Sequence, residues 1–133
     1  MNDVERVVVT EIRVPYRDVD MHGRMRASAY IDHAETALAH FWRNRPVGDE
    51  EPLFVTSKTA CRISECARHD DLLRLTVDID KIGGKFIGFT IRMERGNATA
   101  AEVELVRTAT DHETGDAVAI PEELRDWLYQ YLD

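Results

Sequence analysis

Between residues 72 and 94 the chain runs through the same period twice, on either side of a glycine pair. Leu73, Leu75, Val77 and Ile79 alternate with Arg74, Thr76, Asp78 and Asp80. After Gly83-Gly84, Ile87, Phe89, Ile91 and Met93 alternate with Gly88, Thr90, Arg92 and Glu94. Successive side chains of a strand point to opposite faces, so each run is a strand with one dry and one wet face. The glycine pair is the hairpin turn between them. A sheet with one dry face needs a cover, and the chain supplies it. From about Ser28 to Asn44 the residues Ile31, Ala34, Leu38, Phe41 and Trp42 recur at steps of three and four, the helical period, until Pro46 and Gly48 stop it.

The remaining segments fit around this pair. Residues 5–14 read as a first strand, with Val8, Thr10, Ile12 and Val14 on one side, and 16–27 as a polar, Gly-containing loop. Residues 53–66 are a mixed strand-like run ending near a turn at Arg68-His69-Asp70-Asp71. Residues 85–94 and 99–110 are strands separated by Gly96-Asn97, and His112 to Asp116 is a further turn. Pro121 opens a short last helix in which Leu124, Trp127, Leu128 and Tyr131 share a face. One long helix followed by a meander of strands is an α+β domain whose antiparallel sheet wraps one helix. At 133 residues there is room for one core, so 1–133 reads as a single domain.

Charge narrows the partners. Lys and Arg total 17 against 25 Asp and Glu, a net charge of −8. Binding nucleic acid or an anionic membrane in general needs a basic field, so neither is expected, whereas a few local cations still suffice for an anionic small molecule. No apolar run approaches the roughly 18–20 residues of a membrane span. The opening Met-Asn-Asp-Val-Glu-Arg carries both signs of charge, so no signal peptide is expected and a cytoplasmic location is. Cys61 and Cys66 stand five apart in a strand-like stretch and would face opposite ways, which suits two reduced thiols better than a bridge.

The loop 16–27 holds the features with chemical potential. Asp18 and Asp20 are two apart, Gly23 permits a tight turn, and a helix N-terminus follows, with free N–H groups able to meet a developing negative charge. A carboxylate beside such donors is suited to attack on an acyl carbon; it is equally suited to shaping a loop and capping a helix. Glu35 lies on the arc of Ile31, Ala34, Leu38 and Trp42, an acid inside an apolar stripe, either a working carboxylate or a side chain that reaches out to water, a His or a Tyr. The five histidines show no metal-ligand spacing, and there is no Gly-x-Ser-x-Gly elbow and no Gly-rich phosphate loop, so neither metal nor cofactor is expected.

The stretch VPYRDVDMHGRMRASAYIDHAETA resembles the hot-dog-fold thioesterases of the 4-hydroxybenzoyl-CoA thioesterase type. Their signature, an aromatic, Asp-x-Asp-x-x-Gly, a Tyr and then a Glu, corresponds here to Tyr16, Asp18, Asp20, Gly23, Tyr30 and Glu35. RHDDLLRLTVDIDKIGGKFIGFTIRM and ETGDAVAIPEEL resemble later parts of the family pattern, so the resemblance covers nearly the whole chain. It implies a hot-dog fold, a sheet of five or six antiparallel strands around the 28–44 helix. It also implies homodimers, with pairs of dimers as an alternative, and acyl-CoA sites at the dimer interface. Asp20 becomes the catalytic carboxylate, as nucleophile or as general base. The N–H groups around Ala27 and Ser28 polarise the thioester carbonyl, an effect of roughly 3–4 kcal/mol at other oxyanion sites. Glu35 is expected in the catalytic set, and Tyr16, His22, Gly23, Arg26 and Tyr30 in the substrate-binding set. Lys85 and, less closely, Arg62 correspond to contacts for the CoA phosphates.

Where family members often carry an amide or imidazole ahead of the helix, this chain has Arg24, Met25, Arg26 and Ala27. That departure points to a substrate with its own negative charge, and it leaves two further readings open. One is a thioesterase that releases an acyl chain from a carrier protein, led by Arg26. The other is a module that binds acyl-CoA without turning it over.

Overall fold

The computed structural model describes residues 8–45, 48 and 51–132. Five antiparallel strands form one sheet, β1 (Val8–Arg13), β2 (Leu53–Ile63), β3 (Leu72–Ile82), β4 (Phe86–Arg95) and β5 (Ala98–Thr110), in the order β1-β3-β4-β5-β2. Helix α1 (Ala27–Phe41) lies against the sheet and α2 (Glu122–Tyr129) follows the last strand. This is the α+β arrangement that the periodicities require. β3 ends where alternation places it, and β4 starts and ends one residue later than expected. The 28–44 helix is α-helical only to Phe41, with Trp42–Asn44 tightened into a 3-10 turn. Residues 5–7 of the expected first strand lie outside the described residues, as does Pro46.

The core is the set of inward rows of three strands closed over the helix. Leu73, Leu75, Val77 and Ile79 on β3, Ile87, Phe89, Ile91 and Met93 on β4, and Ala101, Val103 and Leu105 on β5 are buried. Each large apolar side chain so buried contributes roughly 1.5–3 kcal/mol. The helix meets them with Ala29, Ala34 and Ala37, whose small side chains let its backbone approach the sheet, and with Tyr30, Leu38 and Phe41. Phe41 anchors the C-terminal end of α1, its ring 5.1–5.7 Å from those of Trp42, Phe89, Trp127 and Tyr131. The outward row carries charge instead, with Arg92 lying between Asp78 and Glu102 at 3.9 and 3.7 Å.

β2 is different. It pairs only with β5 among the described residues, through a bulge between Thr56 and Lys58, and nearly all its side chains are exposed or half-exposed. Leu53, Val55 and Ile63 stand exposed along this edge.

Candidate active site

The loop ahead of α1 is a small hairpin. Val19 pairs with Met25, Arg26 N–H donates to the Asp18 carbonyl at 2.8 Å, and Asp20 N–H donates to the Arg24 carbonyl at 2.8 Å. Gly23, at φ +77°, makes the reversal, a conformation that a residue with a Cβ adopts only under strain. This hairpin places Asp20 and the first turn of α1 at the same end of the molecule. Met25 N–H donates to the Ala67 carbonyl and so ties the loop to the turn before β3.

Asp20 organises the reversal with one carboxylate oxygen. Its Oδ1 accepts the backbone N–H of His22 at 2.8 Å and that of Arg24 at 3.0 Å, while Oδ2 lies 3.8 Å from Arg24 Nε. The Arg24 N–H bond is the main reason its carboxyl sits below the ordinary aspartate value; partial desolvation opposes this, and the His22 N–H reinforces it. The side chain is one-third exposed. Asp20 is thus an ionised carboxylate held in one orientation, with Oδ2 taking neither of the two backbone bonds.

Beside it, α1 begins without a side-chain cap. Arg26 occupies the cap position at φ −71° and ψ 146°, no acid stands in the first turn, and Ala27 and Ser28 are exposed. The Ala29 N–H already donates to the Arg26 carbonyl at 2.9 Å, and the Ala27 and Ser28 N–H groups, ahead of it, present donors and the positive end of the helix dipole to whatever occupies the site. The Arg26 guanidinium folds back, donating to the Arg17 carbonyl at 3.0 Å and to Ser28 Oγ at 3.4 Å.

Other expected site residues fall in different places. Tyr16 is 77% exposed and meets the His69 ring edge-on at 5.5 Å, and Met21 is more open still at 91%, so an apolar rim flanks Asp20. His22 is exposed, and its backbone rather than its ring meets Asp20. Tyr30 was expected to touch substrate but is fully buried. Its hydroxyl accepts the Ala67 N–H at 2.9 Å, and burial is the main cause that pushes its pKa to about 12. It braces the loop from beneath. Glu35 was expected in the catalytic set but stands mid-helix, where its Oε2 accepts Thr56 Oγ1 at 2.6 Å and faces Arg107 Nη2 at 3.5 Å. The structure does not bring it to Asp20.

Arg62 pairs in register with Glu102, on the sheet face away from α1, and Lys85 lies in the β3–β4 turn at the far end of the sheet from the loop. Eleven residues of β3 separate that turn from the loop's end, about 36 Å. The cations that do surround the loop are Arg13, Arg17, Arg24, Arg26 and Arg68, all exposed. Asp18, by contrast, is buried and accepts a 2.7 Å bond from His33 Nε2 on α1.

A family model described as the thioesterase-like superfamily matches residues 14–128, from the end of β1 to α2 and across the whole Asp20 loop. The chain belongs to the thioesterase-like superfamily. Solved structures agree on the fold. The probable thioesterase YbaW from Escherichia coli is 21% identical, with 95% of this chain and 99% of that one covered and a TM-score of 0.80. A probable thioesterase from Bartonella henselae is 20% identical over 86% of this chain and 98% of that one, at 0.75. The dynemicin thioesterase, from a study of polyene binding, is 16% identical over 96% and 98%, at 0.81. At such identities the likeness is one of hot-dog fold. No curated protein matches. As a superfamily member the chain is thioesterase-like, and its substrate and catalytic groups rest on the geometry above. Among the described residues no helix is long and apolar enough to cross a membrane.

Proposed function

We propose that this protein hydrolyses an acyl-CoA thioester, with Asp20 as the reacting carboxylate and the N–H groups of Ala27 and Ser28 as the oxyanion donors. One observation carries the reading: an oriented, ionised Asp20 shares one end of the molecule with an uncapped helix start. In the reaction Asp20 Oδ2 either attacks the thioester carbon or takes a proton from the water that does. The carbonyl oxygen gains negative charge, which the first-turn N–H groups stabilise in place of water. The C–S bond then breaks and the thiolate leaves, protonated by solvent; on the base route the acid product is free at once, and on the nucleophilic route water hydrolyses the anhydride formed on Asp20, releasing the acid and restoring the carboxylate. A depressed pKa keeps the attacking form fully populated at neutral pH.

The arginines around the loop support CoA as the carrier. Arg13, Arg17, Arg24, Arg26 and Arg68 form a local basic rim on a chain of net charge −8, suited to the phosphates of CoA. This rim takes the place proposed for Lys85 and Arg62 in one subunit. The exposed β2 edge supports a homodimer, because an eleven-residue strand with an open edge and exposed Leu53, Val55 and Ile63 is a template for another strand. Antiparallel pairing of two β2 strands would set the far end of a second copy's sheet, with its Lys85, toward this subunit's loop.

Thiol release from a panel of aromatic and aliphatic acyl-CoAs, run beside sedimentation of the same sample, tests this. Turnover by a dimer is the expected result. Tight binding of acyl-CoAs with no thiol release would instead make the protein a binding module.

A further inference from the structure

Arg107 stands where the sheet calls for an apolar side chain. On β5 the residues Ala101, Val103, Leu105 and Ala109 are buried at every second position, and Arg107 completes the row opposite Ile87 of β4. Its side chain is only 17% exposed. Burial is the chief influence on its guanidinium and pulls its pKa down, with Glu35 only partly offsetting this. The pairing is incomplete. Nη2 reaches Glu35 Oε2 at 3.5 Å, the outer limit of a hydrogen bond, and that oxygen already accepts Thr56 at 2.6 Å. Glu35 is itself 42% exposed, so water weakens its attraction. Arg107 Nε is buried with no partner among the described residues. A buried donor left unmade is costly, so this guanidinium is under-paired.

The surroundings say what kind. Arg107 lines an open pocket, a cavity of about 320 Å³, with Ala39, Trp42, Pro52, Leu53 and Phe54, and it is the one charged residue of these six. The walls are firm, since Trp42 stacks on Phe54 at 5.4 Å and on Trp127 at 6.0 Å. An apolar, open pocket with one under-paired guanidinium fits a ligand with an apolar body and an anionic end. A carboxylate is acceptor-only and matches the planar fork of an arginine in a bidentate pair.

We propose that this cavity takes the far end of the acyl group and that Arg107 selects acyl groups ending in a carboxylate. The proposal rests on the thioesterase reading for the other end of the ligand. Glu35, the residue Arg107 faces, lies eight residues along α1 from Ala27, about 12 Å on the helix axis, and Ala39 in the cavity wall lies twelve residues along, about 18 Å. A medium-length acyl chain spans the shorter distance, from a carbonyl at the first turn to a carboxylate at the Arg107 guanidinium at the near side of the cavity. Glu35 repels such an anion, so the carboxylate would use Nη1, the terminal nitrogen that does not face Glu35.

Binding tests this without turnover. Monomethyl decanedioate and dimethyl decanedioate differ by one charge, and tryptophan fluorescence follows entry beside Trp42. Wild type is expected to bind the monomethyl ester roughly ten-fold or more tightly, and Arg107→Met to lose the preference. Equal affinity of wild type for the two esters overturns the proposal, and it does so whether or not the variant folds. A preference that survives in a folded Arg107→Met overturns it too. Thiol release from decanedioyl-CoA and decanoyl-CoA separates the two claims. An Arg107-dependent charge preference in binding with no turnover would sink the thioesterase reading alone. Turnover with no preference for the carboxylate would sink the Arg107 assignment alone.

Discussion

The two ends of α1 are built on opposite principles. At the C-terminal end Phe41 is enclosed by four other aromatic rings and nothing about it is free to react. At the N-terminal end the cap is an arginine without a capping bond, Ala27 and Ser28 are exposed, and the neighbouring Asp20 is held by backbone donors. A helix that gained only stability from its sequence would carry Ser, Thr, Asp or Asn at its cap. Here one end supplies the packing, and the other keeps its donors open. The difference implies that damage to the two ends should be separable, with stability lost at one and turnover lost at the other.

The largest effect is expected at the packed end. Phe41→Ala should cost about 3–5 kcal/mol of stability, read by chemical denaturation, while the fraction still folded keeps its kcat. A loss of kcat in the folded fraction would break the division between the ends. Ala27→Pro should do the reverse. Arg26 already has the backbone angles that a residue before proline adopts, and proline is accepted at the first helical position. The substitution removes one N–H and little else, so kcat should fall by roughly 10²–10³ with the melting temperature nearly unchanged. Tyr30→Phe sharpens the contrast, because Tyr30 sits near the active end yet does a packing residue's work. It should lose about 1–3 kcal/mol by stranding the Ala67 N–H, with a much smaller change in KM than a substrate contact would give.

The smallest effect concerns pH. Because the Asp20 carboxyl is held below its ordinary value, its contribution to stability is present above the unfolded value and fades as pH falls through the folded one. Activity that depends on the carboxylate should follow the same side. The acidic limb of kcat/KM is therefore expected below the ordinary aspartate pKa of about 3.9, measured over the range in which the protein stays folded. A limb near neutrality would assign the titrating group to a residue other than Asp20.

How much of this was legible follows from where each signal is written. The alternation of β3 and β4 and the three-four spacing of α1 are local, so the sheet, the helix and its covered face could be read directly. Asp20, Gly23 and the helix start lie within eight residues of one another, and their association needed no tertiary information. Tyr30 and Glu35 lie just downstream in the same motif, but their surroundings come from Ala67, Thr56 and Arg107, which only the folded sheet brings near. Glu35 did carry a usable signal. An acid inside an apolar helix stripe and an arginine inside the apolar row of β5 are two violations of opposite sign, and such violations tend to meet. The Asp18–His33 pair had no comparable mark, since a helix histidine fifteen residues from an aspartate fits many folds. Lys85 and Arg62 were placed by resemblance, and strand direction and sheet face decided otherwise for one subunit.

The central claim is that Asp20 performs chemistry, and Asp20→Asn tests it most directly. Asn Oδ1 can still accept the His22 and Arg24 N–H groups, so the turn should survive while the reacting carboxylate is gone. With folding and oligomeric state checked in parallel, thiol release from the best acyl-CoA should fall by about 10²–10⁴. Turnover within a few-fold of wild type would contradict the claim and leave Asp20 as the residue that shapes the loop.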